Sequence, residues 1–295
     1  MLRGSFRTIA VLAAIPIGGL VAFFLWQAIQ GGETPRETYD EAKVLVERRP
    51  LRPPRVDVKP AAEAATAPLP RVQRRRRGAG SIVLIIDDLG FEGQPLERLM
   101  KLDPNVNYSI LPNGTRAREF AEALHARGFE ILCHLPMEPK GRETPGRNAI
   151  LTSMSDDEIA QATRENIEAV PHARGVNNHM GSLATTDRRV MKSVLGAMPD
   201  GMYFIDSRTG GGSVAADVAS EMNVPTATRQ VFLDDVATEH AVRRQLEALA
   251  DAAQKRGVAV GIGHPHAVTL RVLADELPEL KARGFKLLRA SEVVR

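Results

Sequence analysis

The chain has 295 residues, 43% apolar, 25% charged and 4% aromatic, with one cysteine, Cys133. These values exclude a disordered chain, a collagen-like fibre, a multi-span membrane protein, an intramolecular disulfide and a Cys-rich zinc module. The net charge of +3 divides unevenly, with 14 Lys/Arg against 7 Asp/Glu in residues 1–80 and 25 against 29 in residues 81–295. The part that folds is therefore mildly acidic, which argues against a nucleic-acid partner.

Ile9 to Trp26 carries no charge and follows Arg3 and Arg7. As a helix it would be about 27 Å long, near the hydrocarbon thickness of a bilayer. No small-x-small cleavage pattern follows it directly, so residues 1–30 read as an uncleaved single-pass anchor, with a long cleaved signal peptide as the alternative. Its Arg-bearing end belongs in the cytoplasm, which puts the rest across the inner membrane in the periplasm. Residues 31–80 read as a linker, with seven prolines from Pro35 to Pro70, Ala-rich stretches and the run Arg74 to Arg77.

From Ser81 the pattern changes. Ile82 to Ile86 is a β-branched apolar run, as expected of a strand buried on both faces. Pro95 to Leu102 suits a short helix, and Val106, Tyr108 and Ile110 alternate as a second strand. Arg116 to Arg127 reads as a helix stopped by Gly128. Phe129 to Cys133 is a third strand. Ser155 to Glu158 is a capping box that opens a helix to Val170. Gly175 begins a fourth strand, Arg188 to Ala197 is helical, and Met202 to Ile205 is a fifth strand. Ser213 to Met222 reads as a helix with Ser213 as N-cap. Pro225 to Ala227, Val258 to Ile262 and Phe285 to Leu288 complete the strands, and Glu239 to Arg256 and Thr269 to Arg283 the helices. Strand–helix alternation over residues 81–295 predicts a single α/β domain with parallel strands, and the length favours a distorted barrel. Gly210 to Gly212 lacks the Lys of a phosphate loop and the spacing of a dinucleotide turn.

Polar residues cluster at the C-terminal ends of these strands: Asp87-Asp88, His134, Asn177-Asn178-His179, Asp206, and His264 with His266. In an α/β barrel all such ends open on one face. Two adjacent buried carboxylates repel unless a cation neutralises them; an N-cap with a solvated neighbour is the plainer alternative. His134 taken alone is equally a core histidine and His179 a loop histidine. Asp234-Asp235 is open between a helix cap and an orienting carboxylate. Cys133 reads as strand filler, since no electropositive setting activates it. Carboxylate and imidazoles around an open coordination position are what a zinc hydrolase needs.

These motifs resemble the divergent polysaccharide deacetylases, the YibQ-like proteins. The resemblance rests on Ile-Asp87-Asp88-Leu-Gly, His134-Leu-Pro-Met, Gly175-Val-Asn-Asn-His179-Met-Gly-Ser182, Phe204-Ile-Asp206-Ser, Phe232-Leu-Asp234-Asp235 and Gly263-His264-Pro-His266. The group is distantly similar to NodB-type deacetylases of carbohydrate esterase family four, which implies a distorted barrel of that type. It also implies a catalytic base at Asp87, a late histidine acid at His264, and a divalent metal, zinc by preference, on Asp88, His134 and His179. The second imidazole of the His-x-x-x-His ligand motif falls on Glu138, an alternative third ligand. Asn178, Ser182, Asp206, Asp235 and His266 are expected to orient the histidines or touch substrate. The implied activity is removal of N-acetyl groups from a glycan such as peptidoglycan, in the cell envelope and with envelope proteins as further partners. A binding or scaffold protein on the same fold is the alternative. A phosphoesterase would need a basic pocket, for which Arg208 is the obvious nearby residue.

Overall fold

The computed structural model describes residues 79–295, so the charge-free run and nearly all of the linker lie outside it. No helix among the described residues is long and apolar enough to cross a membrane. Nine strands and seven helices alternate: β1 (Ser81–Leu89), α1 (Leu96–Leu99), β2 (Asn107–Ile110), α2 (Ala117–Ala126), β3 (Glu130–Met137), α3 (Asp156–Glu168), β4 (Ala173–Met180), α4 (Arg188–Ala197), β5 (Tyr203–Asp206), α5 (Ala215–Glu221), β6 (Thr226–Thr228), β7 (Val231–Phe232), α6 (Glu239–Arg256), β8 (Val258–Gly263), α7 (Ala267–Ala282) and β9 (Lys286–Leu287).

All pairings are parallel, in the order β6-β5-β4-β3-β2-β1-β8-β7, with β9 beside the start of β1. The sheet curls into a half-barrel. Its two outermost strands are separated in sequence by only Arg229 and Gln230. The Arg229 N–H donates to the Asp206 carbonyl (2.9 Å) and the Gln230 N–H to the Val260 carbonyl (2.9 Å), so one short ribbon reaches both sheet edges.

Strand alternation sorts the core into two clusters. Ile82, Leu84 and Ile86 of β1 join the larger one, to which every helix contributes, among them Leu99, Phe120, Ile159, Val190, Val218, Val242 and Leu270. Val83 and Ile85 join the smaller one with Leu132, Tyr203, Ile205, Val260 and Ile262, closed by Ala290 of the C-terminal segment. The helices therefore cover one face of the sheet and the second cluster fills the other, concave face.

Several expectations need correction. The first helix is a single turn, because Pro95 and the Asp103-Pro104 pair bracket it. β3 runs on through His134-Leu-Pro136-Met137, where Pro136 still accepts the Ile150 N–H through its carbonyl (2.9 Å). The N-cap position of α5 is Val214 rather than Ser213, but the Ser213 hydroxyl accepts the N–H of Ala215, the first helical residue (3.3 Å), and donates to Asp206 Oδ2 (2.9 Å). The two-residue β7 was not anticipated. The Ser155–Glu158 capping box is present, with the Ser155 N–H donating to Glu158 (2.8 Å).

Candidate metal centre and active site

The concave-face register carries each candidate to one place. Asp87 stands two residues beyond Ile85, His134 two beyond Leu132, Asn177 two beyond Gly175, Ser207 two beyond Ile205 and His264 two beyond Ile262. A period of two keeps them on the inner face. Asp88 would turn away, but its φ of 60° breaks the alternation and brings its carboxylate to the same side as Asp87. Gln94 fixes this turn: its amide nitrogen, Nε2, donates to the Asp88 carbonyl (2.6 Å), and Oε1 accepts from Gly90 N–H (2.8 Å) and Phe91 N–H (2.9 Å).

Asp88 Oδ1 lies 2.9 Å from His179 Nδ1 and 3.2 Å from His134 Nε2, and the two nitrogens are 3.3 Å apart. Asp88 Oδ1 is buried and makes no well-formed hydrogen bond. Tetrahedral ligands about 2.1 Å from an ion stand about 3.4 Å from one another, close to this triangle. The donor set fits a divalent cation, and Asp88, His134 and His179 are the residues that would hold it.

Asn177 organises the centre. Its Nδ2 donates to Asp87 Oδ1 (3.0 Å), Asp87 Oδ2 (3.1 Å) and Ser207 Oγ (3.1 Å), while its Oδ1 accepts from His134 Nδ1 (2.9 Å) and Ser109 Oγ. With Nδ1–H spent on Asn177, the neutral imidazole of His134 presents its lone pair at Nε2, on the side of Asp88 and His179. Partners of this kind fix the tautomer of metal-binding histidines. His264 is held by Asp234, whose Oδ1 accepts from the ring Nδ1 (2.9 Å) and Oδ2 from the His264 N–H (2.7 Å) and Thr269 Oγ (2.7 Å). His264 Nε2 then faces Asp88 Oδ2 at 3.7 Å.

Burial raises the Asp87 carboxyl above its ordinary range, although His134, His264 and the Asn177 bond oppose it. Burial also raises Asp88, but His134 and His179 outweigh it and hold that carboxyl far below its usual range. For His134 burial lowers the imidazole, yet Asp87 and Asp88 prevail and lift it to about 9. His264 is raised too: burial works against the charge, and Asp234, Asp87 and Asp88 overcome it. Neighbouring groups with opposed shifts are a mark of acid–base sites.

The remaining expected residues divide. Asn178, Ser182 and Asp235 line the cavity of about 410 Å³ above this centre. Asn178 Oδ1 accepts the Ser207 N–H (2.9 Å) and Ser182 Oγ the Lys140 N–H (2.9 Å), so both also brace the loops around it. Asp235 is exposed and the residue that orients His264 is its neighbour Asp234. Asp206 does not orient a histidine; Oδ1 accepts the Arg208 N–H (2.9 Å) and Oδ2 the Ser213 hydroxyl. Glu138 is not with the ligands: its Oε2 accepts both the N–H and the hydroxyl of Thr152 (2.6 Å each). His266 is exposed at the N-cap of α7, its ring 5.9 Å from that of His264. Cys133 is fully buried, as expected of filler. Arg229 went unforeseen. It lines the cavity, lies 5.0 Å over the Phe232 ring, and donates to the carbonyls of Ser207 and Arg208.

The curled parallel sheet thus gathers at its strand ends an Asp-His-His triad able to hold a cation beside a carboxylate-held histidine. Residues 84–294 match the divergent polysaccharide deacetylase family, and the chain belongs to it. It is 37% identical over 217 residues to the uncharacterized protein YibQ of Escherichia coli, covering 73% of this chain and 68% of that one. An uncharacterized protein of Haemophilus influenzae is 32% identical over 200 residues, covering 68% and 71%. Among solved structures, uncharacterized protein ATU2773 of Agrobacterium tumefaciens superposes with a TM-score of 0.71 at 21% identity, over 74% of this chain and 90% of that one, a likeness of fold.

Proposed function

We propose that the chain is an envelope-facing, metal-dependent hydrolase that removes N-acetyl groups from a glycan such as peptidoglycan. The observation that carries this reading is the triangle of Asp88, His134 and His179 beside two further groups suited to proton transfer. A bound divalent ion, zinc by preference, would polarise the amide carbonyl and acidify water. Asp87, its basicity raised by burial, is placed to take a proton from the attacking water. His264, its basicity raised by Asp234 and the aspartate pair, is placed to protonate the nitrogen as the C–N bond breaks. Acetate and the free amine leave. The charge-free run Ile9 to Trp26 supports a single-pass anchor in the inner membrane with the domain in the periplasm.

The test is acetate release from N-acetylated glycans by the full chain with added zinc. Turnover that disappears in Asp87→Ala and His264→Ala, with zinc binding retained in both, supports the assignment. Stoichiometric zinc binding and glycan binding without any acetate release would replace it with the scaffold reading.

A further inference from the structure

A second cavity, of about 750 Å³, opens at the seam where β6 gives way to β7. Its wall includes Arg208, Arg229, Arg256, Gln230, Val260 and Val293, and no acidic side chain. None of the three arginines forms an ion pair among the described residues, a trait they share with Arg98, Arg127 and Arg244 elsewhere on the domain. This concentration of positive charge runs against the domain as a whole, which carries more Asp and Glu than Lys and Arg.

Two details say the arrangement is specific. Arg208 adopts a left-handed φ of 47°, a conformation that costs a non-glycine residue about 1 kcal/mol or more, and is held there by Asp206. Arg229 is packed between the two cavities and belongs to the wall of both. Its guanidinium is partly buried, with the carboxylates of Asp87, Asp206 and Asp235 as well as the Arg208 cation acting on it, and it donates to the Ser207 and Arg208 carbonyls. Arg208 and Arg256 are exposed on this wall, and guanidiniums that face a concavity are preferred receptors for carboxylate and phosphate, which they bind through paired N–H donors.

We infer that the seam cavity binds an oxyanion carried by the glycan, so that the substrate is an acidic glycan whose charged group occupies this cavity while its acetamido group reaches the metal centre past Arg229. The inference deepens the hydrolase reading and rests on it for the identity of the ligand as a glycan. The anion has two possible sources, a sugar carboxylate or a phosphate.

Calorimetric titration of the zinc-loaded full chain separates them. The probes are a neutral N-acetylglucosamine tetramer, a tetrasaccharide alternating N-acetylglucosamine with glucuronate, and inorganic phosphate. The carboxylate tetrasaccharide is expected to bind at least tenfold more tightly than the neutral one. In the double variant Arg208→Gln, Arg256→Gln that advantage disappears while affinity for the neutral tetramer is unchanged. Saturable phosphate binding that is lost in the same variant, with no preference for glucuronate, supports the site with phosphate as its source. Equal affinity of the parent for charged and neutral probes together with no phosphate binding overturns the inference, as does a double variant that melts like the parent and keeps the parent's preference for the glucuronate probe. The readout needs no turnover, so charge-selective binding without acetate release sinks only the hydrolase reading.

Discussion

Replacing Asn177 with leucine would strip a hydrogen-bond partner from Asp87, from His134 and from Ser207 at once. Each buried group left unsatisfied costs about 1–3 kcal/mol, so Asn177→Leu is expected to destabilise the metal-free chain by about 3 kcal/mol in urea titration. Freed of its Nδ1 partner, His134 should also lose zinc affinity by about 10–100-fold in a competition assay. The same histidine predicts a pH response. Its folded value of about 9 exceeds its unfolded value, so its contribution is fully present below about 6.5 and is lost as pH rises through 9. Asp87, also raised, acts with the same sign. Chelator-treated protein should therefore melt at a lower temperature at pH 9.5 than at pH 6.5. Zinc competes with the proton at Nε2, so its affinity should rise over that same interval. The residue types at the strand ends made a gathering of acidic and imidazole groups legible in sequence, and the family resemblance singled out Asp88, His134 and His179 among them. Asn177 was not legible as a partner, and the Asp234-Asp235 pair was legible as an orienting carboxylate only without saying which member does it, because an amide beside a histidine and one aspartate of a pair are not told apart until the facing strands are in register.

At the level of strands and helices, the sheet depends on close fits that sequence patterns do not record. Gly175 on β4 faces Tyr203 on β5, and a Cβ there would lie 2.2 Å from the ring. The tyrosine cannot swing aside freely, since its hydroxyl donates to Glu130 (2.7 Å) inside the barrel. Gly175→Ala is thus expected to cost about 1–3 kcal/mol and to lower the melting temperature by roughly 2–4 °C per kcal/mol. Elements with strong local signals were legible: the apolar runs of β1 and β8, and the capping box of α3. The end of β3 was not, since Pro136 reads as a stop, yet only its missing N–H is forfeited while its carbonyl still pairs. β7 escaped for another reason. Two residues carry no periodicity, and what makes them a strand is β8 alongside.

Taken whole, the domain is closed from below by its last residues. Ala290, packed with Leu288, Val293 and Val294, caps the inner cluster. Ser291 N–H donates to Glu130 (2.8 Å), Ala290 N–H to Asn107 Oδ1 (2.9 Å), and the Arg295 and Thr226 backbones exchange bonds of 3.0 and 3.2 Å. A chain ending at Leu288 would expose this apolar surface and leave Glu130 short of donors. It should lose 3 kcal/mol or more, about what several buried side chains contribute, read as a lower urea midpoint. The parallel architecture was legible from the strand–helix rhythm. The curl and its closure were not, because they arise from contacts between the two ends of the domain.

The ribbon from Thr226 to Asp234 concentrates several duties in nine positions. It ties the first edge of the sheet to the last, supplies Arg229, rests Phe232 edge-on against His264 with ring centroids 5.3 Å apart, and grips that imidazole through Asp234. Fraying of this one stretch, far short of global denaturation, would misalign the proton donor and part the seam together. Heat or denaturant should accordingly silence the protein while most of its amides still resist exchange, and the first amides to yield would be those of the ribbon itself.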